Sequence, residues 1–145
     1  MLKVLIADDE SKVCQLIEKL VYWDALDMEV GAVAENGIDA LEKIKEVHPD
    51  IVITDIRMPG YDGLDLIRLG KEEAPNAEFV IISGYRHFEY AQMAIRYGVN
   101  AYLLKPIKKD ELTETLKRLS TRFRAQTEQL SQEEKTRLAI RSDEK

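Results

Sequence analysis

Residues 51–60 read Ile51-Val52-Ile53-Thr54-Asp55-Ile56-Arg57-Met58-Pro59-Gly60, and the fold turns on them. Ile51 to Thr54 are four apolar or β-branched residues in a row, the composition of a strand buried on both faces. The strand hands one carboxylate, Asp55, to the turn in which it ends. Pro59 and Gly60 close that turn, and Gly63 stands just before the next helix. A carboxylate at the end of a buried strand has a rigid support. From this stretch alone, Asp55 is a nucleophile, a metal ligand or a helix cap.

Working outward, three other apolar runs end in polar residues. Leu2 to Ala7 runs into Asp8-Asp9-Glu10, Phe79 to Ile82 into Ser83-Gly84, and Ala101 to Leu104 into Lys105-Pro106. Met28, Val30, Ala32 and Ala34 alternate more gently, which suits an edge strand, and end in Ala34-Glu35. Helical spacing lies between these runs. Val13, Leu16, Ile17, Leu20 and Val21 form one stripe. Asn36 is a good N-cap for a helix carrying Ala40, Leu41, Ile44 and Val47, which Pro49 ends. Leu64 and Ile67 mark a short helix stopped around Gly70 to Pro75. Phe88, Ala91, Ala94 and Ile95 face inward on a fourth, with Gly98 as its left-handed terminal residue. A last helix starts near Lys108 with Leu112, Leu116 and Leu119 on one face. Five strands alternating with five helices over residues 1–119 predict an α/β fold: a doubly wound parallel sheet covered by helices on both faces.

The totals fit that reading. A chain of 145 residues, 45% hydrophobic and 33% charged, suits one soluble domain. No apolar run approaches the roughly 18–20 residues that span a bilayer, and Met1-Leu2-Lys3-Val4 runs straight into a strand, so neither a membrane span nor a signal peptide is expected. The single cysteine, Cys14, excludes an internal disulfide and fits packing in a helix and a cytoplasmic location. Residues 1–111 hold 21 acids and 13 bases, and residues 112–145 hold 6 acids and 8 bases. A body with eight excess acids does not make a nucleic-acid surface, which needs clustered cations against phosphate.

In a parallel sheet of this kind, ligands bind at the carboxyl ends of the strands. Asp8, Asp9, Asp55, Ser83 and Lys105 all fall there, and the weak second strand lies outside the group. Carboxylates converging from two strands are costly without a cation. With oxygen donors and no nearby His or Cys, magnesium suits them. A metal, an ammonium (Lys105) and a hydroxyl (Ser83) around one carboxylate can bind a phosphoryl group, and Asp55 can take it as nucleophile.

The set Asp8-Asp9, Asp55 with Met58-Pro59-Gly60, Ser83-Gly84, and Tyr102-Leu103-Leu104-Lys105-Pro106 resembles the receiver domain of two-component response regulators, from residue 1 to about 119. The resemblance implies a flavodoxin-like five-stranded sheet of order 2-1-3-4-5. It implies phosphorylation of Asp55 by a sensor histidine kinase or small acyl phosphates. It also implies a magnesium ion on Asp9, Asp55 and the Arg57 backbone carbonyl, with Asp8 acting through water. Lys105 would pair with the phosphoryl group, and the Lys105–Pro106 peptide would be cis. Ser83 and Tyr102 would form the switch: the hydroxyl moves to the phosphoryl oxygen and the ring into the vacated space, remodelling the fourth helix, fifth strand and fifth helix. Ser83 stands where Thr is more frequent in the family. Arg57 and Tyr85 flank the site and would slow self-dephosphorylation by hindering water. Trp23, Ser83-Gly84-Tyr85 and Phe88-Glu89-Tyr90-Ala91 look like receivers joined to AraC-type DNA-binding domains.

Beyond Leu119 the chain turns polar. Leu112, Leu116, Leu119, Phe123, Gln126 and Leu130 keep a 4-3 spacing, the seam of a coiled coil, which fails at Glu133 and Arg137. Residues 120–145 are thus expected to be a polar helical extension, helical to about residue 130 or further. It would link to a missing effector domain that alone would touch DNA, and either it or the face built by the fourth helix, fifth strand and fifth helix would pair with a second copy. Two alternatives stay open: a stand-alone receiver acting through protein contacts, and a magnesium-dependent phosphohydrolase with an Asp nucleophile. The latter lacks a second Asp two residues after Asp55, where Arg57 stands. Beyond self-phosphorylation and self-dephosphorylation, no enzymatic turnover is expected.

Overall fold

The structure is a computed structural model that describes residues 1–84 and 88–143, with side chains omitted at Phe88 and from residue 128 onward. Its elements alternate: β1 (Leu2–Ala7), α1 (Ser11–Leu20), a 3-10 turn (Asp24–Leu26), β2 (Met28–Ala34), α2 (Gly37–Val47), β3 (Ile51–Thr54), α3 (Gly63–Glu73), β4 (Glu78–Ser83), α4 (Phe88–Arg96), β5 (Ala101–Leu104) and α5 (Lys109–Asp143). All five strands are parallel, in the order β2-β1-β3-β4-β5. This is the expected sheet, with β2 at its edge. The order reverses between β1 and β3, and a crevice opens there beyond the strand ends.

Strand side chains alternate between two cores. Leu5, Ala7, Val52, Phe79 and Ile81 pack with α2, α3 and Ala94 of α4. Val4, Ile6, Ile53, Val80 and Ile82 pack with Cys14 and Ile17 of α1 and with Leu112, Leu116 and Leu119 of α5. Each buried leucine contributes roughly 1.5–3 kcal/mol, so α5 is anchored by its first three turns. Asn36 caps α2 through Asp39 N–H at 2.7 Å, and Asp62 caps α3 through Asp65 N–H at 2.8 Å. α3 runs through Gly70, whose missing side chain admits the Phe79 ring.

Two residues expected inside are not. Leu16 is 45% exposed and Ile95 71%. In each helix the apolar stripe is wider than the contact with the sheet. Ile17 and Ala94 take the buried positions, and the preceding or following residue is rotated about 100° away. The seam on α5 is corrected too. Leu112, Leu116 and Leu119 are fully buried in this chain's own core, and Phe123 packs half-buried against it. That part of the repeat is spent within the chain and offers nothing to a second copy. The helix shows no break near residue 119 and continues to Asp143. Gly98 has φ +79°, the left-handed geometry expected of it.

Candidate functional site

Register builds the site. Ala7 pairs with Thr54, so the next residues, Asp8 and Asp55, emerge side by side from β1 and β3. Ser83 pairs with Leu104, which brings Lys105 up beside the end of β4. The backbone continues the pairing one step further: Asp55 N–H donates to the Ala7 carbonyl at 3.0 Å, and Lys105 N–H to the Ser83 carbonyl at 2.9 Å. The Lys105–Pro106 peptide is cis.

Lys105 is the centre of charge. Its ammonium lies 3.0 Å from Asp55 Oδ2 and 3.1 Å from Asp8 Oδ2, between two carboxylates that are both buried. Each acid is also held from its own loop. Glu10 N–H donates to Asp8 Oδ1 at 2.9 Å, and Ile56 N–H to Asp55 Oδ1 at 2.6 Å. Neither Asp8 nor Asp9 caps α1; Glu10 occupies the N-cap position and makes no capping bond with its side chain.

Burial pushes Asp8 up to about 6, with the Asp55 charge adding to the rise, against the lowering effects of the Glu10 amide and Lys105. Burial works to lower Lys105, but its hydrogen bond to Asp55 and the charges of Asp55 and Asp8 outweigh that and leave it raised. Lys105 therefore stays an ammonium throughout the physiological range, and Asp8 is the strained member of the cluster.

Ser83 is fully buried, and its side chain is hydrogen bonded to the half-buried Tyr102 hydroxyl. Burial raises the Tyr102 pKa, the Ser83 bond lowers it and the Asp55 charge raises it. Tyr102 thus faces the strand ends and feels Asp55. Asp9, Glu10, Asp55, Arg57, Gly84 and Lys105 line the opening above these groups. Tyr85, expected at this rim, and the inward packing of Phe88 lie outside the described residues and side chains.

Several residues shape the site by close approach, which local sequence does not reveal. A β-carbon on Gly63 would collide with the Asp55 carbonyl oxygen, and one on Gly37 with the Tyr61 carbonyl oxygen. Gly37 N–H donates to the Pro59 carbonyl at 3.0 Å, and Gly63 N–H to the Ile56 carbonyl at 2.6 Å. Gly60, at φ +81°, lies against the Ile38 side chain. The amino ends of α2 and α3 therefore clamp residues 55–63. Thr54 Oγ1 donates to the Asp55 carbonyl at 2.8 Å, and the buried Cys14 thiol donates to the Asp8 carbonyl at 3.6 Å. Burial, with the Asp8 charge second, pushes that thiol up to about 11, so it is a packing group and not a reactive thiolate.

The donor set suits a hard cation. Asp8, Asp9 and Glu10 offer oxygens within 4.8 Å of one another, Asp55 opens onto the same space, and among the described residues no His or Cys side chain lines it. Among these, Glu10 was not expected from sequence. Clustered carboxylate oxygens with room for water are the donors magnesium takes.

The family model for the response regulator receiver domain matches residues 4–117. The chain belongs to that family. This receiver is 39% identical over 126 residues to the transcriptional regulatory protein YesN of Bacillus subtilis, covering 87% of the chain and 34% of that protein. It is 36% identical over 119 residues to the transcriptional regulatory protein HptR of Staphylococcus aureus, covering 82% and 46%. Among solved structures it resembles the receiver domain of AraT, a response regulator from Geobacillus stearothermophilus, with TM-score 0.83 and 39% identity over 87% of this chain and 98% of that one. The receiver spans less than half the length of the curated relatives named here. Among the described residues, no helix is long and apolar enough to cross a membrane.

Proposed function

We propose that Asp55 is the phosphoacceptor of this receiver, taking its phosphoryl group from the phosphohistidine of a sensor histidine kinase or from a small acyl phosphate. The observation that supports this most is the way its carboxylate is held. Ile56 N–H fixes Oδ1, while Oδ2 meets the Lys105 ammonium at the open end of the site. An Asp55 oxygen bonds to phosphorus as the bond from phosphorus to the donor breaks, and the donor leaves with the electron pair. Lys105 then turns from the carboxylate to the phosphoryl oxygens. The Ser83 hydroxyl donates to one of them, which frees Tyr102 to move into the vacated space. Asp9, Asp55 and the Arg57 backbone carbonyl would hold magnesium, with Asp8 acting through water; when bound, the ion neutralises charge on the transferring group. Arg57 beside the site hinders the hydrolytic water and prolongs the phosphorylated state.

The switch acts through α4, β5 and α5. Residues 1–119 form the receiver and 120–145 a helical link to an effector domain that carries the DNA contacts, here read as AraC-type. A second copy pairs through the α4–β5–α5 face or the helix beyond Phe123. The receiver turns over no substrate apart from its own phosphoryl group and works in the cytoplasm.

Acetyl phosphate with magnesium is expected to add one phosphoryl mass to the native protein, read by intact mass, and none to Asp55→Asn. Equal labelling of the two, or none of the native protein, overturns the assignment.

A further inference from the structure

β4 and β5 end at the site, and both begin under α5. β4 starts at Glu78, and Arg122 of α5 holds that side chain at 3.5 Å. β5 follows Asn100, whose side-chain oxygen accepts from Arg118 Nη2 at 2.9 Å. Arg118 and Arg122 are one helical turn apart, so a single face of α5 grips the amino ends of the two strands that carry Ser83 and Tyr102. On the other side of the helix, Ser120 Oγ donates to the Leu26 carbonyl at 3.2 Å and Phe123 packs against the core. Farther on, Arg124 and Thr127 line a groove with Leu2, Asp27 and Asp50. Arg118, Ser120, Arg122 and Phe123 together fasten the helix to the body.

We propose that Arg118 and Arg122 are coupling residues: they report the state of β4 and β5 to the helix that leaves the domain, by holding it to the amino-terminal edge of the sheet while Asp55 is unphosphorylated. The two grips coexist with the Lys105–Asp55 pair, the contact that phosphorylation replaces. β4 runs six residues from Glu78 to Ser83, and Tyr102 lies two residues beyond Asn100, so a backbone adjustment that accompanies the side-chain switch reaches both grips through hydrogen-bonded strands. Both grips are polar and at least partly exposed. An exposed ion pair of this kind shifts an equilibrium by about fivefold at most, so phosphorylation can release it without disturbing Leu112, Leu116 or Leu119. The inference rests on Asp55 being the phosphoacceptor.

Coupling is reciprocal. If phosphorylation loosens the grips, removing them must favour the phosphorylated arrangement. The test is calorimetric titration of the full chain with beryllofluoride in magnesium, for the native protein, Arg118→Gln with Arg122→Gln, and Arg124→Gln as control. The double variant is expected to bind about 3- to 10-fold more tightly, and the control unchanged. Exchanging the charges, Glu78→Arg with Arg122→Glu, is expected to return affinity to about twofold of native, which a merely structural role would not do. Hydrogen exchange supplies a second readout. Amides of residues 120–127 are expected to exchange faster when the native protein binds beryllofluoride and to be already fast in the double variant. Unchanged or weaker binding by the double variant overturns the coupling alone. A native protein that does not bind beryllofluoride overturns the phosphoacceptor reading, and the coupling falls with it.

Discussion

From Asp55 to Gly63 the chain is pinned through its backbone. The Pro59 carbonyl accepts from Gly37, the Ile56 carbonyl from Gly63, and both glycines sit where a β-carbon would collide with a carbonyl oxygen. The backbones of Ser83 and Tyr102 are paired in β4 and β5, but their side chains are restrained by a hydroxyl pair inside, and two polar arginine grips hold the far ends of the strands. Backbone contacts of this closeness have one arrangement, because interiors are close-packed and cannot deform by degrees. A side-chain hydrogen bond has a net worth of roughly 1 kcal/mol and can be exchanged for another. The group that receives the phosphoryl is therefore held still, and the groups that respond to it are held lightly.

Gly63→Ala attacks the rigid side of that contrast and is expected to have the largest effect. Its new methyl must displace the Asp55 backbone, which costs about 3 kcal/mol in a urea melt and slows acetyl phosphate labelling about 10-fold or more. A variant of near-native stability and labelling would mean that the clamp is looser than its geometry.

Asp8 sharpens the comparison through pH. Its carboxyl is pushed up to about 6 in the fold, above the usual carboxylate value, so between about pH 4 and 6 the folded state binds more protons than the unfolded one. Its contribution to stability therefore falls as pH rises through that window. With chelator present, Asp8→Asn is expected to be about 1–3 kcal/mol more stable than native at neutral pH, with the gain vanishing by about pH 4. A gain that grew toward acid would reverse the sign and break the account. Magnesium is expected to stabilise the native protein and to do so less in Asp9→Asn, measured as the shift in melting temperature at equal concentrations.

Ser83→Ala tests the lightly held side and should cost least. Losing one buried hydroxyl contact is expected to lower stability by about 1 kcal/mol and to leave labelling of Asp55 intact, while abolishing the beryllofluoride response in the exchange of residues 120–127. Retention of that response would remove Ser83 from the path.

Much of this was legible in the chain. Interior strands must be apolar along their length, so Ile51 to Thr54 and Phe79 to Ile82 announce themselves, and whatever polar residue follows each run marks the site. Spacing could not tell which side of a broad apolar stripe meets the sheet, hence the exposed Leu16 and Ile95. Nor could it separate a seam for a second helix from a face for the chain's own core, since both demand apolar residues at the same intervals, as on α5. Gly63 looked like a residue of the turn before α3, and Gly37 drew no reading; the service of both is to contacts with Tyr61 and Asp55 that only packing creates.

The sequence by itself determined the strands, their order of use along the chain, and the acid, hydroxyl and ammonium placed at their ends, because burial and periodicity are local requirements. Only the tertiary structure decided that Lys105 would bridge Asp8, 97 residues away, and Asp55, 50 residues away. It also decided that α5 would be fastened to the starts of β4 and β5. Those contacts depend on register between strands and on which helix lies across them, and neither is encoded within reach of the residues that meet.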